Sequence, residues 1–431
     1  MNKLKKMFHS NFAKSIAMIS GSAVTARILS FIFYPVITRI YTPEQYGILA
    51  VYGSIVGLIA SVASLNYEWA IPIAEDDEKA VGVMQVSFVI LSFFSILVFL
   101  TFSIFGGWIL NTLNAYNLSK YIYLIPIGVF LGGSYNILIQ WAYRKKDFKS
   151  ISTTRLLQSI VGSGAKIVLG LLGTGLIGLI VGQILFQCAG VYTFLRAVMR
   201  DTRESAIWKK WHRLTESAKR YSNFAVFSAP STLLNALGLQ LPVLFMTSFY
   251  GSEVVGHFGL ANSVVSLPML LIGAATTDVL YAEAASVGRR DPRRVKELSR
   301  KVLKSLLLAT LVPFLIVLLF GPPLFSFFFG SKWYESGVYA RIIAFMAFFK
   351  LLVTPVTTIF RVFERLKQQF FLDLIKVIMV LAAFIIVRLL NLSSYAAVAL
   401  YTICMCIVYF VSYILVEKVL GQEINKMEQA K

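Results

Sequence analysis

Four basic side chains fall within long apolar stretches, where a charge is costly: Arg27, Arg155, Lys166 and Lys350. Arg27 lies about 12 residues into its stretch, or about 18 Å at 1.5 Å per residue. We expect Lys166 and Lys350 at a similar depth and Arg155 nearer the inner end of its stretch. A charge at mid-bilayer costs about 2.5–3.5 kcal/mol. These cations are therefore expected to line a wet cavity or to pair internally, and guanidinium and ammonium groups in a cavity suit a phosphate or pyrophosphate anion.

Acidic residues are few in the apolar stretches. Glu68 and Asp373 are predicted towards the inner side, and both are candidates for coupling or gating. Asp373 lies three residues before Lys376, which is the spacing of an ion pair on one helical face. For Glu68, capping a helix or pairing with a loop lysine is the alternative. A cavity with this surplus of positive charge is suited to an anionic passenger.

Other chemistry has weak support in the sequence. The three histidines are far apart, and Cys188, Cys404 and Cys406 do not have zinc-site spacing. The GSGAK segment that ends at Lys166 lies within an apolar stretch and is not a phosphate loop. We therefore expect no metal, no cofactor and no catalytic residue, and we predict that the chain is not an enzyme.

Composition indicates what must position these side chains. The 431 residues are 57% apolar and only 14% charged, with a net charge of +20 and a mean hydropathy of +0.73. A soluble chain would have roughly a quarter charged residues. These values exclude a disordered protein, a disulfide scaffold and an ordinary cytosolic enzyme, and they indicate a chain that lies mostly in lipid.

Apolar stretches long enough to cross a hydrocarbon core of about 30 Å predict twelve transmembrane helices. They lie at about 15–40, 47–65, 81–105, 120–143, 153–173, 175–198, 222–250, 254–280, 302–328, 337–360, 370–388 and 395–416.

The distribution of charge supports this count. With both termini in the cytoplasm, most of the 41 basic residues fall on the inner side, and only Arg39, Lys120, Lys332 and Arg388 fall outside. This is the positive-inside pattern. The first stretch contains Arg27 and is too long for a signal peptide, so it reads as an uncleaved membrane helix.

The chain divides into two similar halves. At an offset of 209, Tyr41 matches Tyr250, Glu44 matches Glu253 and Gly47 matches Gly256. Six helices per repeat give both halves the same orientation, as in transporters with two lobes around a cavity. The predicted divisions are bundles at 1–200 and 222–416, a cytoplasmic amphipathic linker at 201–221 and a tail at 417–431.

Several segments together resemble the Wzx-type polysaccharide flippases, in the superfamily that also includes the MATE exporters. They are RIYTPEQYG at 39–47, LNYEWAIPIAEDDEKA at 65–80, GLIGLIVGQ at 175–183, the block at 227–268 and FFGSKWYESGVYA at 328–340. The resemblance covers nearly the whole chain. It implies an all-α integral membrane protein with two six-helix bundles around a central cavity.

The resemblance also implies a function, a location and partners. The passenger would be a polyprenyl-pyrophosphate-linked oligosaccharide that crosses the bacterial inner membrane. Its anionic head group would contact Arg27, Lys166, Lys350 and Arg155. Membrane lipid and the polysaccharide polymerase machinery are the further candidate partners.

Three alternatives have less support. A drug or cation exporter of the MATE branch would need acidic residues deep in the cavity, whereas the deep residues here are basic. An integral-membrane polymerase or ligase would need a catalytic outer loop, and the predicted outer loops are short. The basic and aromatic segment 203–220 reads as a positive loop beside a membrane rather than as a nucleic-acid site.

Overall fold

The computed structural model describes residues 11–202, 212–287, 291–363 and 365–429, and these residues are almost entirely helical. They divide into two compact units, Met1–Ser252 and Glu253–Lys431. The predicted divisions at 1–200, 201–221, 222–416 and 417–431 stay predictions. Of the amphipathic segment predicted at 203–220, residues 203–211 lie outside the described residues.

Unit 1 begins with a long helix and ends within another. Its α-helices are α1 (Asn11–Ile40), α2 (Pro43–Ala60), α3 (Asp77–Thr112), α4 (Leu124–Arg144), α5 (Phe148–Leu171), α6 (Leu176–Cys188), α7 (Val191–Asp201), α8 (His212–Arg220) and most of α9 (Ala229–Val265). Short 3-10 helices at Tyr67–Ile73 and Tyr116–Tyr121 precede α3 and α4, and a π-helical turn at Phe224–Ser228 precedes α9.

Unit 2 starts near the end of α9. It continues through a π-helical turn at Met269–Gly273 and a 3-10 turn at Ser331–Trp333. Its α-helices are α10 (Ala274–Val287), α11 (Pro292–Phe329), α12 (Tyr334–Val356), α13 (Ile359–Val362), α14 (Leu366–Leu389) and α15 (Ser394–Gln429).

In the part of the chain that the structure describes, nine helical segments are long and apolar enough to cross a membrane. The count of twelve is not confirmed by this criterion and stays a prediction. The shorter α2 and the more polar α5 are not among the nine. Phe224–Val265 counts as one segment of 42 residues. At 1.5 Å per residue it would be about 63 Å long, twice the thickness of a hydrocarbon core.

The proposed repeat has the same break in both halves. In the first half, Thr42 is an extended N-cap residue that exchanges hydrogen bonds with Gln45, and Pro43 starts α2. At the offset of 209, Gly251 interrupts α9 with φ 83° and ψ 176°. A side chain disfavours that conformation, so glycine is the residue that permits the turn. Each interruption follows a tyrosine, Tyr41 or Tyr250.

Glycines bring the helices of unit 1 close together. Tyr41 is 1% exposed, and its hydroxyl occupies the space that a Cβ on Gly170 or Gly178 would take, at 2.7 Å from each. The Tyr52 hydroxyl likewise overlaps the Cβ position of Gly128 and donates to the carbonyl of Leu124 at 3.1 Å. These contacts join the turn between α1 and α2 to α5 and α6, and they join α2 to α4.

The part of α9 before Gly251 is tied to unit 1 at both ends. Near its start, Asn66 Nδ2 donates to Thr232 Oγ1 at 2.7 Å and to Ser228 Oγ at 3.2 Å. Near Gly251, Ser248 Oγ donates to the carbonyl of Thr112 at 2.8 Å. This stretch corresponds to α1 in the repeat, yet its polar contacts place it in the first unit.

Helix α8 is held against the inner part of unit 1. Leu214 and Ala218 of this helix pack against the hydrophobic core of the unit. Tyr67 donates a hydrogen bond to the carbonyl of Ala218 at 2.9 Å. Glu75 pairs with both Lys79 and Arg220, and the hydrogen bond from Lys79, with the charge of Arg220, holds the pKa of that carboxyl below its usual range.

In unit 2, α11 and α12 cross at two glycines. A Cβ on Gly337 would overlap the Cα of Pro322 and would lie 2.5 Å from its nitrogen. Pro323 has no N–H to bond the carbonyl of Leu319 four residues earlier, and Arg341 Nη2 donates to that carbonyl at 2.6 Å. Arg341 therefore supports a helix that prolines interrupt.

Candidate functional site

Arg27 and Arg155 line one polar cleft in unit 1. The cleft has a volume of about 290 Å³ and is formed by α1, α5 and α6. Its remaining lining residues are two alanines, two polar residues and one aromatic ring: Ala23, Ala26, Ser30, Gln158 and Phe186. Two guanidinium groups therefore share one space with a hydroxyl and an amide, which is a suitable set of groups for an anion that also carries hydroxyls.

A contact between α1 and α5 sets the level of the two arginines. The hydroxyls of Ser30 and Ser159 are 2.8 Å apart. Arg27 is three residues before Ser30 and Arg155 is four residues before Ser159, so both lie about one turn from this contact. In the predicted orientation both α1 and α5 run from the cytoplasmic side to the outer side. Both arginines therefore lie about one turn to the cytoplasmic side of the serine contact, at the same depth in the membrane.

The two arginines are held differently. Arg155 Nη2 donates to the Tyr143 hydroxyl at 3.2 Å, which orients its side chain. Arg27 is exposed at the wall of the cleft. Within the described residues, no carboxylate lies within 4 Å of the Arg27 guanidinium, so this charge is available to a bound anion.

Lys166 lies at another level of α5. It is eleven residues after Arg155, or about 16 Å along the helix, and five residues before the last residue of α5. The prediction that Lys166 and Arg27 share a depth is therefore wrong. The apolar stretch begins near residue 153, but the helix itself starts at Phe148, where Asp147 caps it. The middle of the helix therefore lies before the middle of the apolar stretch, from which the depth of Lys166 was estimated.

Neutral groups surround Lys166. Its Nζ donates to Gln183 Oε1 at 2.8 Å, and its backbone carbonyl accepts from the Tyr41 hydroxyl at 2.7 Å. Gly182 makes room for the lysine stem, because a Cβ there would overlap Lys166 Cγ. Among the described residues no carboxylate lies within 4 Å of Nζ, so the positive charge of this partly buried side chain is not neutralised.

Lys350 belongs to unit 2 and has Lys376 as its charged neighbour. Lys350 on α12 and Lys376 on α14 are close enough for their charges to repel. Lys376 Nζ binds Asp373 Oδ1 at 2.8 Å, which confirms the predicted pair. The role of Asp373 in coupling stays a prediction, and the pair leaves Lys350 as a second partly buried cation.

Glu68 is 6% exposed and lies in the 3-10 helix between α2 and α3. It accepts a hydrogen bond from Ser64 at 2.6 Å, and no basic group of the described residues lies within 4 Å of its carboxylate. Burial raises the pKa of this carboxyl, although the hydrogen bond from Ser64 opposes the shift. Glu68 therefore pairs with no lysine among the described residues.

The backbone just before Glu68 is strained. Leu65 and Asn66 adopt φ values of 51° and 58°, a left-handed region that non-glycine residues disfavour. Asn66 is the residue that binds Ser228 and Thr232, and those hydrogen bonds help to hold the conformation. The predicted gating role of Glu68 stays a prediction.

Several polar residues of these sites were missing from the sequence-based set. Ser30 follows Arg27 by one turn, Gln158 follows Arg155 by three residues, and Gln183 contacts Lys166 from the neighbouring helix. A polar side chain three or four residues from a charge within an apolar stretch was the available signal for Ser30 and Gln158. Gln183 had no such signal, because its partner lies on another helix.

The comparisons with known proteins agree with a transporter fold. A solved inward-facing MATE multidrug resistance transporter superposes with a TM-score of 0.75 at 16% identity, over 95% of this chain and 99% of that one. The lipid II flippase MurJ superposes with a TM-score of 0.72 at 14% identity, over 93% of this chain and 87% of that one. At these identities the likeness concerns the fold, and it confirms an all-α membrane architecture.

Sequence comparison leads to polysaccharide biosynthesis. The chain is 24% identical over 361 residues to the succinoglycan biosynthesis transport protein ExoT of Rhizobium meliloti (strain 1021), which covers 80% of this chain and 68% of the relative. A family model described as "Polysaccharide biosynthesis protein" matches residues 36–338. Because this match spans well over half of the 431 residues, the chain belongs to that family of polysaccharide biosynthesis proteins.

Proposed function

We propose that this protein is a flippase that moves a polyprenyl-pyrophosphate-linked oligosaccharide from the cytoplasmic to the outer leaflet of the bacterial inner membrane. The observation that supports this most is the shared cleft of Arg27 and Arg155. The family match and the transporter fold support the proposed class of protein, and the positive charges of the cleft support an anionic passenger.

The cleft is chemically suited to the head group of such a lipid. A guanidinium group offers a planar pair of donors to phosphate oxygens, and two of them suit the two phosphates of a pyrophosphate. Ser30 and Gln158 add neutral hydrogen-bonding groups for sugar hydroxyls. Each arginine would be costly if it faced hydrocarbon, so a passenger that neutralises both offsets that cost.

Movement is proposed to follow alternating access. Lys166, about 16 Å further along α5, is then a later contact for the anionic group. Lys350 of unit 2 stays a candidate contact, because it too is a partly buried cation. The polyprenyl tail stays in the bilayer throughout, so only the head group and the sugars need a polar path. Glu68 and Asp373 are the candidates for coupling this movement to protons or for gating it.

Export of a cationic drug, as in the MATE branch, is the second candidate because a MATE transporter superposes well. The charge of the cleft argues against it. Among the described residues, the lining of this cleft includes two arginines and no acidic residue. A cationic passenger would be repelled there, so the two functions differ in the sign of charge that should inhibit transport.

The setting follows from the same proposal. Both termini would lie in the cytoplasm, and the outer face would deliver the lipid-linked product to a polysaccharide polymerase. The chain would carry out no covalent chemistry of its own and would need no cofactor. Its partners are the lipid-linked oligosaccharide and the surrounding membrane lipid.

The test uses full-length protein in proteoliposomes with a fluorescent polyprenyl-pyrophosphate oligosaccharide. A quencher that cannot cross the bilayer is added outside the vesicles. Transport is measured as the fall in fluorescence when labelled lipid moves from the inner to the outer leaflet. Arg27→Gln and Arg155→Gln should each lower the transport rate about 10- to 100-fold, the equivalent of one charge-assisted hydrogen bond. Arg27→Lys should retain more activity, because it keeps the charge and loses the planar pair of donors.

Arg196→Gln is the matched control, since Arg196 is exposed on α7 and is not among the lining residues of the cleft. It should transport as the wild type does. Wild-type rates in the Arg27→Gln/Arg155→Gln double variant, with normal insertion, would remove the cleft from the mechanism. Faster uptake of a cationic dye by that variant would favour the exporter.

A further inference from the structure

One face of α11 changes from basic to apolar within a single turn. Lys301 and Lys304 are exposed, and Leu307, Leu308 and Leu311 follow them with exposed fractions of 42%, 65% and 40%. Lys301, Lys304, Leu308 and Leu311 recur at spacings of three and four residues, which places them on one side of the helix. This side continues into the apolar part of α11 that is long enough to span a membrane.

The other four basic residues of α11 each contact a carboxylate. Lys296 and Arg300 both approach Glu417 of α15, at 3.3 and 3.6 Å. Arg293 pairs with Glu428 of the same helix, and Arg294 contacts Glu297 at 3.4 Å. Glu417 and Glu428 of α15, together with Glu297 of α11 itself, therefore neutralise the part of α11 that lies furthest from the apolar segment.

Lys301 and Lys304 differ from these neighbours. In the residues that the structure describes, neither ammonium has a carboxylate within 4 Å or a hydrogen-bond acceptor. They lie one turn apart, with about 5–6 Å between their Cβ atoms. Two free ammonium groups at that spacing, directly beside exposed leucines, match a phosphate group with acyl chains below it.

We propose that Lys301 and Lys304 form a binding site for an anionic phospholipid of the inner leaflet. The two ammonium groups hold the phosphate, and the acyl chains lie along Leu308 and Leu311. Charge complementarity at the head group, continuous with an apolar face at the depth of the hydrocarbon, selects an anionic membrane lipid. The site is independent of the arginine cleft and of the passenger.

The test measures lipid binding by the full-length protein in a neutral detergent. Phosphatidylglycerol is added, and retained lipid is counted by native mass spectrometry alongside the shift in Tm. The wild type should retain the lipid and gain thermal stability, and phosphatidylcholine should do neither. Lys301→Gln/Lys304→Gln should weaken binding of phosphatidylglycerol about 30-fold, from two lysines near an anionic head group.

Arg294→Gln/Lys426→Gln is the matched control. It removes the same amount of charge from exposed residues that Glu297 and Glu423 already neutralise, and it should bind phosphatidylglycerol as the wild type does. Equal Tm values of all three proteins without lipid would show that the variants fold. Equal affinity of the two double variants for phosphatidylglycerol would overturn the site.

Discussion

The crossing of α11 and α12 yields a prediction for Gly337→Ala. A Cβ at this position would overlap the Cα of Pro322 and would lie 2.5 Å from the carbonyl oxygen of Gly321. Both obstacles are backbone atoms, so no side chain can rotate to relieve them. Carbon atoms prefer a separation of about 3.5–4.0 Å, so the two helices must move apart by about 1 Å.

That separation has an estimable cost. Overpacking of a close contact typically costs about 1–3 kcal/mol, and the crossing belongs at the upper end because both partners are backbone. Alanine in place of glycine favours a helix by about 1 kcal/mol. We therefore expect Gly337→Ala to lower the free energy of unfolding by about 2 kcal/mol, measured by titration with denaturing detergent in mixed micelles.

Gly421→Ala is the control within unit 2, because no heavy atom lies within 4 Å of the position of its Cβ. It should raise the free energy of unfolding by up to about 1 kcal/mol through helix propensity alone. The reasoning is refuted if Gly337→Ala unfolds within 0.5 kcal/mol of the wild type, a range that is roughly that of ordinary surface substitutions.

Two further predictions concern single positions in unit 1. Gly251→Ala should destabilise the protein by about 1–3 kcal/mol, although open space surrounds the Cβ position. The cost arises from the backbone conformation alone, φ 83° and ψ 176°, and an unchanged unfolding midpoint would contradict it. The pKa of Glu68 is raised in the folded protein, so protonation of this carboxyl stabilises the folded state. That stabilisation is complete below pH 4.5, the ordinary pKa of the group, and it is lost as the pH rises through the pKa of the folded state. Glu68→Gln should remove this loss and be more stable than the wild type at pH 8 but not at pH 4, and parallel pH profiles of the two proteins would count against the argument.

Patterns within one segment predicted the architecture well. Hydropathy and the distribution of lysine and arginine indicated an all-α membrane chain, because each helix must satisfy these requirements by itself. The pair of Asp373 and Lys376 followed from a spacing of three residues. The repeat matched Tyr41 with Tyr250, and the structure interrupts both halves directly after these tyrosines, at Thr42 and Gly251.

Contacts between helices were beyond the reach of such patterns. The sequence indicated Arg27 and Arg155 separately and at different depths, whereas the contact of Ser30 with Ser159 brings them to one level. Lys166 was misplaced because apolar stretches do not mark where a helix begins. Gln183 was missed as its partner because register between neighbouring helices depends on packing, in this instance on Gly182.

The ties of α9 to unit 1 bear on how this chain can be divided into two polypeptides. A fragment that stops at residue 202 would leave Asn66 without its hydroxyl partners and the carbonyl of Thr112 without its donor. A fragment that stops at Ser252 would carry every one of those groups. Co-expressed halves should therefore reassemble more readily when the break follows Ser252, even though the duplicated pattern would suggest cutting between its two copies.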